Sequence, residues 1–197
     1  MLFNTILLDP PWGFNHYSHK GNKKSGEHHY DCHDPEWLLS LPVASVAAKN
    51  ATLLLWTSFP HLDLAMKLFP AYGFVYKSGM PWVKLSKTGA IQMGTGYHIR
   101  AASELLLLGT RGDTRAPLPA DKPLGVLFNG RAEHSRKPDT QYEIAENYPG
   151  PYVEIFSRPR EGDMFGPRPG WVFVGNEIDG LDVMDALAQL AEKEQPE

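Results

Sequence analysis

The sequence predicts an α/β domain in which helices cover both faces of a mostly parallel sheet. Three observations carry this expectation. Apolar runs without polar alternation, among them Ile6-Leu7-Leu8, residues 51–57 and residues 152–157, read as strands buried on both faces. Segments with apolar residues at helical spacing lie between them, and such alternation favours a parallel sheet. The chain has 197 residues, 42% hydrophobic and 21% charged, so we expect a single domain over residues 1–197.

The first strand runs into Asp9-Pro10-Pro11-Trp12. Each proline fixes its own φ and lacks an N–H, so this backbone cannot continue a sheet ladder. The segment offers a carboxylate, backbone carbonyls and a large aromatic plane, with no nucleophile. Those groups suit a flat heterocycle bearing an amino group. If the Asp9 carboxylate and the Pro10 carbonyl accept the two amino hydrogens, the nitrogen can pyramidalise and aim its lone pair outward. Trp12 would hold the ring by stacking, worth roughly 1–3 kcal/mol per base. The bland alternative, a structural proline turn beside a buried tryptophan, weighs about the same on these four residues.

Residues 13–33 are polar and without periodicity, so they read as a long loop placed to cover the site. His28, His29, Cys32 and His33 lie in it, but no second ligand pair stands elsewhere to complete a zinc site, and no metal is expected. A short helix should start near Asp34-Pro35. Residues 51–57 form a strand, and Leu62, Ala65, Met66 and Phe69 mark the core face of a helix capped by Thr57 or Ser58. Strands over 74–83 and 104–110 flank a second glycine-bearing loop, residues 92–103. Residues 111–124 hold three prolines and read as a loop, and 125–128 as a short strand.

Pro138 suits the first turn of a helix, with Asp139 and Glu143 near its positive end and Tyr142, Ala145 and Tyr148 on its apolar face. Lys137, just before it, is either a phosphate contact or an ordinary surface lysine. Strands at 152–157 and 171–175 follow. A closing helix over 180–194 turns Val183, Leu187, Leu190 and Ala191 to one side, and residues 195–197 should fray.

Ligands of such sheets bind outside the carboxyl ends of the strands. Asp9, Arg158, Asn176 and Glu177 would converge there, a set able to hold an extended nucleoside with a charged amino-acid tail. No apolar run approaches the roughly 18 residues of a membrane span. The N-terminus lacks a basic leader, and the single Cys32 excludes an internal disulfide, so a reducing cytoplasm is expected. Net charge is −4, yet residues 77–137 carry ten Lys or Arg against four acids, and residues 176–197 seven acids against one lysine. One rim suited to phosphates and one acidic tail follow. The low total predicts salt-sensitive nucleic-acid binding, or a partner or second copy that adds affinity.

Asp9-Pro10-Pro11-Trp12 after a strand resembles the catalytic motif of the adenine N(6)-methyltransferases of the MT-A-seventy family. Five further blocks agree in order: Gly94 to Arg100, Ser103 to Gly109, His134 to Asp139, Val153 to Arg158 and Trp171 to Glu177. The resemblance covers roughly residues 3 to 180. It implies a three-layer Rossmann-like methyltransferase fold with circularly permuted motif order, and S-adenosyl-L-methionine as cofactor. It implies Asp9, Pro10, Pro11 and Trp12 as catalytic, and Asp9, Arg158, Arg160, Glu161, Asn176 and Glu177 along the cofactor. Trp12, Tyr30, Tyr97, Arg100 and Lys137 would meet the substrate, with 13–33 and 92–103 as gates.

Three departures stand out. Ser103 replaces a lysine that some members aim at the methionine carboxylate, Arg160-Glu161 replaces His-Asn, and the upstream acid-hydrophobic pair that holds the cofactor adenine in larger members has no counterpart in the eight residues before Asp9. The expected reaction is methyl transfer to the adenine N(6) amino group in nucleic acid, with DNA ahead of RNA because the chain is compact and carries no separate RNA-binding module. The rival is a non-catalytic nucleic-acid-binding partner subunit; the intact motif argues against it.

Overall fold

The structure, a computed structural model, describes residues 2–13, 34–96, 98–113, 122–130, 136–159 and 168–192. These residues build a seven-stranded sheet in the order β5-β3-β4-β2-β1-β6-β7. The strands are β1 (Phe3–Leu8), β2 (Ala47–Thr57), β3 (Val75–Leu85), β4 (Ser103–Arg111), β5 (Leu127–Gly130), β6 (Tyr152–Ile155) and β7 (Trp171–Val174). β1 pairs in parallel with β2 and β6, and β6 with β7. β4 runs antiparallel to both β2 and β3, while β3 and β5 are parallel. The expected mostly parallel sheet is therefore present, with β4 reversed, and the strand bearing Asp9 comes first in the chain, as a permuted order requires.

Alternation along the strands divides the core in two. Ile6, Leu8, Leu53, Leu55, Val153 and Ile155 face one side, packed by α1 (Pro35–Ser40), α2 (Val43–Val46), α3 (Leu62–Ala71) and α6 (Val183–Glu192). Leu7, Leu54, Trp56, Trp82 and Leu106 face the other, covered by Tyr142, Ile144 and Ala145 of α4 (Thr140–Ala145). The short α5 (Asn176–Asp179) follows β7. α1 is capped by the Asp34 carboxylate, which accepts from the Trp37 N–H at 2.7 Å, and Pro35 occupies its first turn.

Two local expectations are corrected. Met66 is 37% exposed, and Leu68 and Tyr72 fill the core positions expected of it. The Tyr72 hydroxyl also donates to the Leu38 carbonyl at 2.6 Å, tying the end of α3 to α1. Neither Thr57 nor Ser58 caps α3. A 3-10 turn, Phe59–His61, intervenes, and the Ser58 hydroxyl meets His61 Nδ1 at 2.9 Å instead.

The chain leaves β1 toward β2 on one side and continues from β6 to β7 on the other. Between β1 and β6 the winding reverses, the place where open α/β sheets bind ligands. Asp9 and Arg158 lie just beyond the carboxyl ends of these two strands.

Candidate active site

Asp9 continues the row of Leu7, so its side chain projects toward the face covered by α4. Glu104 continues the row of Leu106, and Lys84 that of Trp82, which pairs with Glu104 across β3 and β4. Three charged ends of apolar rows thus meet on one face. Lys137 enters from the segment before α4, and its Nζ donates to Asp9 Oδ2 at 2.7 Å. The same ammonium lies 3.2 Å from Glu104 Oε2, and Lys84 pairs with the other oxygen of Glu104. Lys137 sits 5.7 Å from the centre of the Trp56 ring, whose indole N–H donates to Gln141 of α4 at 2.7 Å. Gln141 thereby anchors the helix that delivers the lysine.

Burial raises the Asp9 carboxyl above the ordinary aspartate value, although Lys137 opposes this. Burial alone would also raise Glu104, but Lys137 and Lys84 overcome it and hold Glu104 below its ordinary value. Burial would lower Lys137; the Asp9 and Glu104 carboxylates more than compensate, so it stays charged. Lys137, with 11% side-chain exposure, is no ordinary surface lysine.

Pro10 is buried, and Asp9, Pro11 and Trp12 are half-buried. The Trp12 indole N–H donates to the Trp56 carbonyl at 3.2 Å, and its ring packs against the helix-rich core. His61 stacks on Trp12 with centroids 5.4 Å apart and planes 20° from parallel.

At the other rim, β6 is followed by Phe156, which takes φ 68°, and then by Ser157 and Arg158. The Ser157 N–H donates to Val174, at the end of β7. Gly175 follows, and a Cβ there would fall 2.0 Å from the Ser157 carbonyl oxygen. Glycine is what lets the two strand ends approach, and the approach brings Arg158 Nε to 3.8 Å from Glu177 Oε1. Asn176 and Glu177 are exposed.

The structure thus places Asp9, Arg158, Asn176 and Glu177 at the ends of neighbouring strands, with Lys137 in contact with Asp9. Arg100 lies exposed on the β3–β4 loop, which closes through bonds between Gly94, Thr95 and Ala101. Tyr30, Tyr97, Arg160, Glu161 and all of the first gate loop except Gly13 lie outside the described residues, as does the histidine cluster. Ser103 opens β4 beside Glu104, and the ammonium found at this place is that of Lys137, held by Asp9 and Glu104. Glu104, Lys84 and His61 are site residues that the sequence reading missed; a lone acid heading the apolar run SELLLL was the available signal for Glu104.

The donor set fits an S-adenosylmethionine-like ligand: a guanidinium for a carboxylate, and side-chain acceptors for an ammonium and ribose hydroxyls. The model of the family described as MT-A70 matches residues 3–177. The chain belongs to the MT-A70 family. Its fold is the permuted methyltransferase fold of that family, it is a methyltransferase domain, and S-adenosylmethionine is its methyl donor.

This MT-A70 domain is 25% identical over 187 residues to the N(6)-adenosine-methyltransferase catalytic subunit METTL3 of Homo sapiens, covering 93% of this chain and 29% of that protein. It is 25% identical over 190 residues to the Drosophila melanogaster N(6)-adenosine-methyltransferase MT-A70-like protein, with 93% and 28% covered. The Type II methyltransferase M.MunI of Mycoplasma sp is 24% identical over 201 residues, covering 93% and 78%. The chain therefore spans less than a third of the adenosine methyltransferases it matches. The expectation of DNA ahead of RNA, and of DNA methylation with it, is overturned: METTL3 and the Drosophila protein are named for adenosine, the ribonucleoside. Compactness carries no information about the sugar of a substrate. Among the described residues no helix is long and apolar enough to cross a membrane, and no cluster of His, Cys, Asp or Glu could hold a metal ion.

Proposed function

We propose that this domain methylates the N(6) amino group of adenosine in RNA. The supporting observation is a carboxylate at the reversal of the sheet, Asp9, held through Oδ2 by a buried ammonium while Oδ1 remains for an amino hydrogen. Asp9 and the Pro10 carbonyl accept the two amino hydrogens and turn the nitrogen lone pair toward the donor. S-adenosylmethionine, when bound, would supply a sulfonium methyl group to that nitrogen and leave as the neutral thioether. Positive charge then builds on nitrogen beside the Asp9 carboxylate, which stabilises it. Burial makes that carboxylate a better proton acceptor than an ordinary aspartate, so it can relay the departing proton to water.

Arg158, Asn176 and Glu177 are assigned to the cofactor, with Arg160 and Glu161 following in the chain. Lys137 has three donors, and two carboxylates use two of them. The third is assigned to an anionic group of cofactor or substrate. Trp12, Tyr30, Tyr97 and Arg100 are assigned to the target nucleoside and its neighbours. An adenosine in a helix must leave the stack to reach Asp9, so single-stranded RNA is the preferred form. Two relatives are named as a catalytic subunit, which favours a partner chain that adds RNA affinity. Incubation with labelled S-adenosylmethionine and single-stranded RNA, followed by digestion to nucleosides, should yield N(6)-methyladenosine. Label in another nucleoside would overturn the assignment.

A further inference from the structure

Pro10 and Pro11 remove two successive backbone donors from the catalytic loop. Such a loop is held through side chains and carbonyl oxygens. Lys137 grips its first residue, Asp9. At the far end, His61 meets three groups of the described residues. Its ring stacks on Trp12, its Nε2 lies 2.7 Å from the Gly13 carbonyl oxygen, and its Nδ1 lies 2.9 Å from Ser58 Oγ. A carbonyl only accepts, so Nε2 carries the hydrogen. In the neutral ring Nδ1 then accepts from the Ser58 hydroxyl. Burial lowers the imidazole below its ordinary value and favours that neutral form.

His61 belongs to the 3-10 turn that joins β2 to α3, so its position is set by the neighbouring strand rather than by the loop it touches. β2 also supplies the Trp56 carbonyl that receives the Trp12 indole N–H. Two anchors, one from β2 and one from the turn that follows it, therefore fix Trp12 and Gly13. Pro11, the one residue between Trp12 and the Pro10 carbonyl, transmits that placement through its locked φ.

We propose that His61 is a positioning residue for methyl transfer: by clamping Trp12 and the Gly13 carbonyl it sets the aim of the Pro10 carbonyl and the rate of the chemical step. This rests on the reading of Asp9 and Pro10 as the groups that hold the target amine. Misplacement of about 1 Å costs as much as 100-fold in rate, so the clamp controls kcat more than cofactor affinity.

The test compares wild type with His61→Ala, His61→Gln and His61→Phe. Gln returns an N–H donor to the Gly13 carbonyl, and Phe returns an aromatic plane to Trp12. Three quantities are read: kcat for RNA methylation, S-adenosylmethionine affinity by calorimetry, and hydrogen exchange of the Trp12 indole and the Trp12 and Gly13 amides by NMR, with Trp12→Phe to assign the indole. The expected result is a kcat loss of roughly tenfold or more in His61→Ala, with cofactor affinity within about twofold of wild type, faster exchange at residues 12 and 13, and partial recovery in Gln or Phe. Unchanged exchange in His61→Ala overturns the proposal whatever the activity. So does an unchanged kcat, or a kcat loss that merely follows loss of folded protein. If wild type itself transfers no methyl group to RNA, the functional reading fails, and the exchange data alone decide whether His61 holds the loop.

Discussion

Lys137 and Asp9 stand 128 positions apart in the chain, yet their side chains meet at 2.7 Å beneath α4. The contact puts a permanent positive charge against the one acid of the proline loop, and Glu104 and Lys84 extend it into a line of four alternating charges. Removing one member of a buried pair leaves its partner uncompensated, so the line is sensitive at each point.

Lys137→Met should lower methyl transfer by about 100-fold or more, the scale on which removing one preorganised charged contact slows a reaction. It should also move the acid limb of the kcat/KM profile to higher pH. Burial raises Asp9 and Lys137 pulls it down, so without the ammonium the carboxyl rises further and protonates earlier. A pH–rate profile of wild type and variant checks both effects.

Glu104 is held below its ordinary value by Lys137 and Lys84 against the opposing effect of burial. A depressed acid contributes stability that is present above its unfolded-state value and fades as pH falls through the folded-state one. Wild type should therefore exceed Glu104→Gln in urea stability near neutrality, and the gap should close in acid. Unfolding curves across that range measure it.

Gly175→Ala would put a methyl group against the Ser157 carbonyl. The backbones at the ends of β6 and β7 must then separate, at a cost of about 1–3 kcal/mol. We expect a lower Tm and weaker S-adenosylmethionine binding, because Arg158 and Glu177 depend on that approach. Differential scanning fluorimetry with and without cofactor reads both.

Gln141→Leu leaves the indole N–H of the buried Trp56 without its side-chain acceptor. The expected destabilisation is about 1–3 kcal/mol. Transfer should also slow, since α4 then loses one of its ties to the sheet and keeps that of Tyr142 to Glu154. Denaturant unfolding alongside the methylation assay checks this.

The central strands were legible from apolar runs such as Ile6-Leu7-Leu8 and the Leu53-Leu54-Leu55-Trp56 stretch of β2, and the alternation of Leu7 with Ile6 and Leu8 foretold two buried faces. Asp9, Arg158, Asn176 and Glu177 were legible because each follows such a run directly. Lys137 was legible only as a cation before a helix; which way α4 would turn it depends on Gln141 and Trp56, residues far apart in sequence. Glu104, Lys84 and His61 act through cross-strand neighbours and a turn geometry that no local pattern encodes. Met66 misled because helical spacing marks a stripe wider than the buried one, and Leu68 with Tyr72 lay closer to its centre. The preference for DNA failed because no residue singled out in the sequence reads the sugar.

The most direct measurement is single-turnover methyl transfer to an adenosine-containing RNA by wild type and by Asp9→Asn, with S-adenosylmethionine affinity measured on both. The account predicts N(6)-methyladenosine with wild type, and a rate at least about 100-fold lower with Asp9→Asn, while cofactor affinity changes only modestly. Asp9→Asn transferring at the wild-type rate would contradict the central role of Asp9.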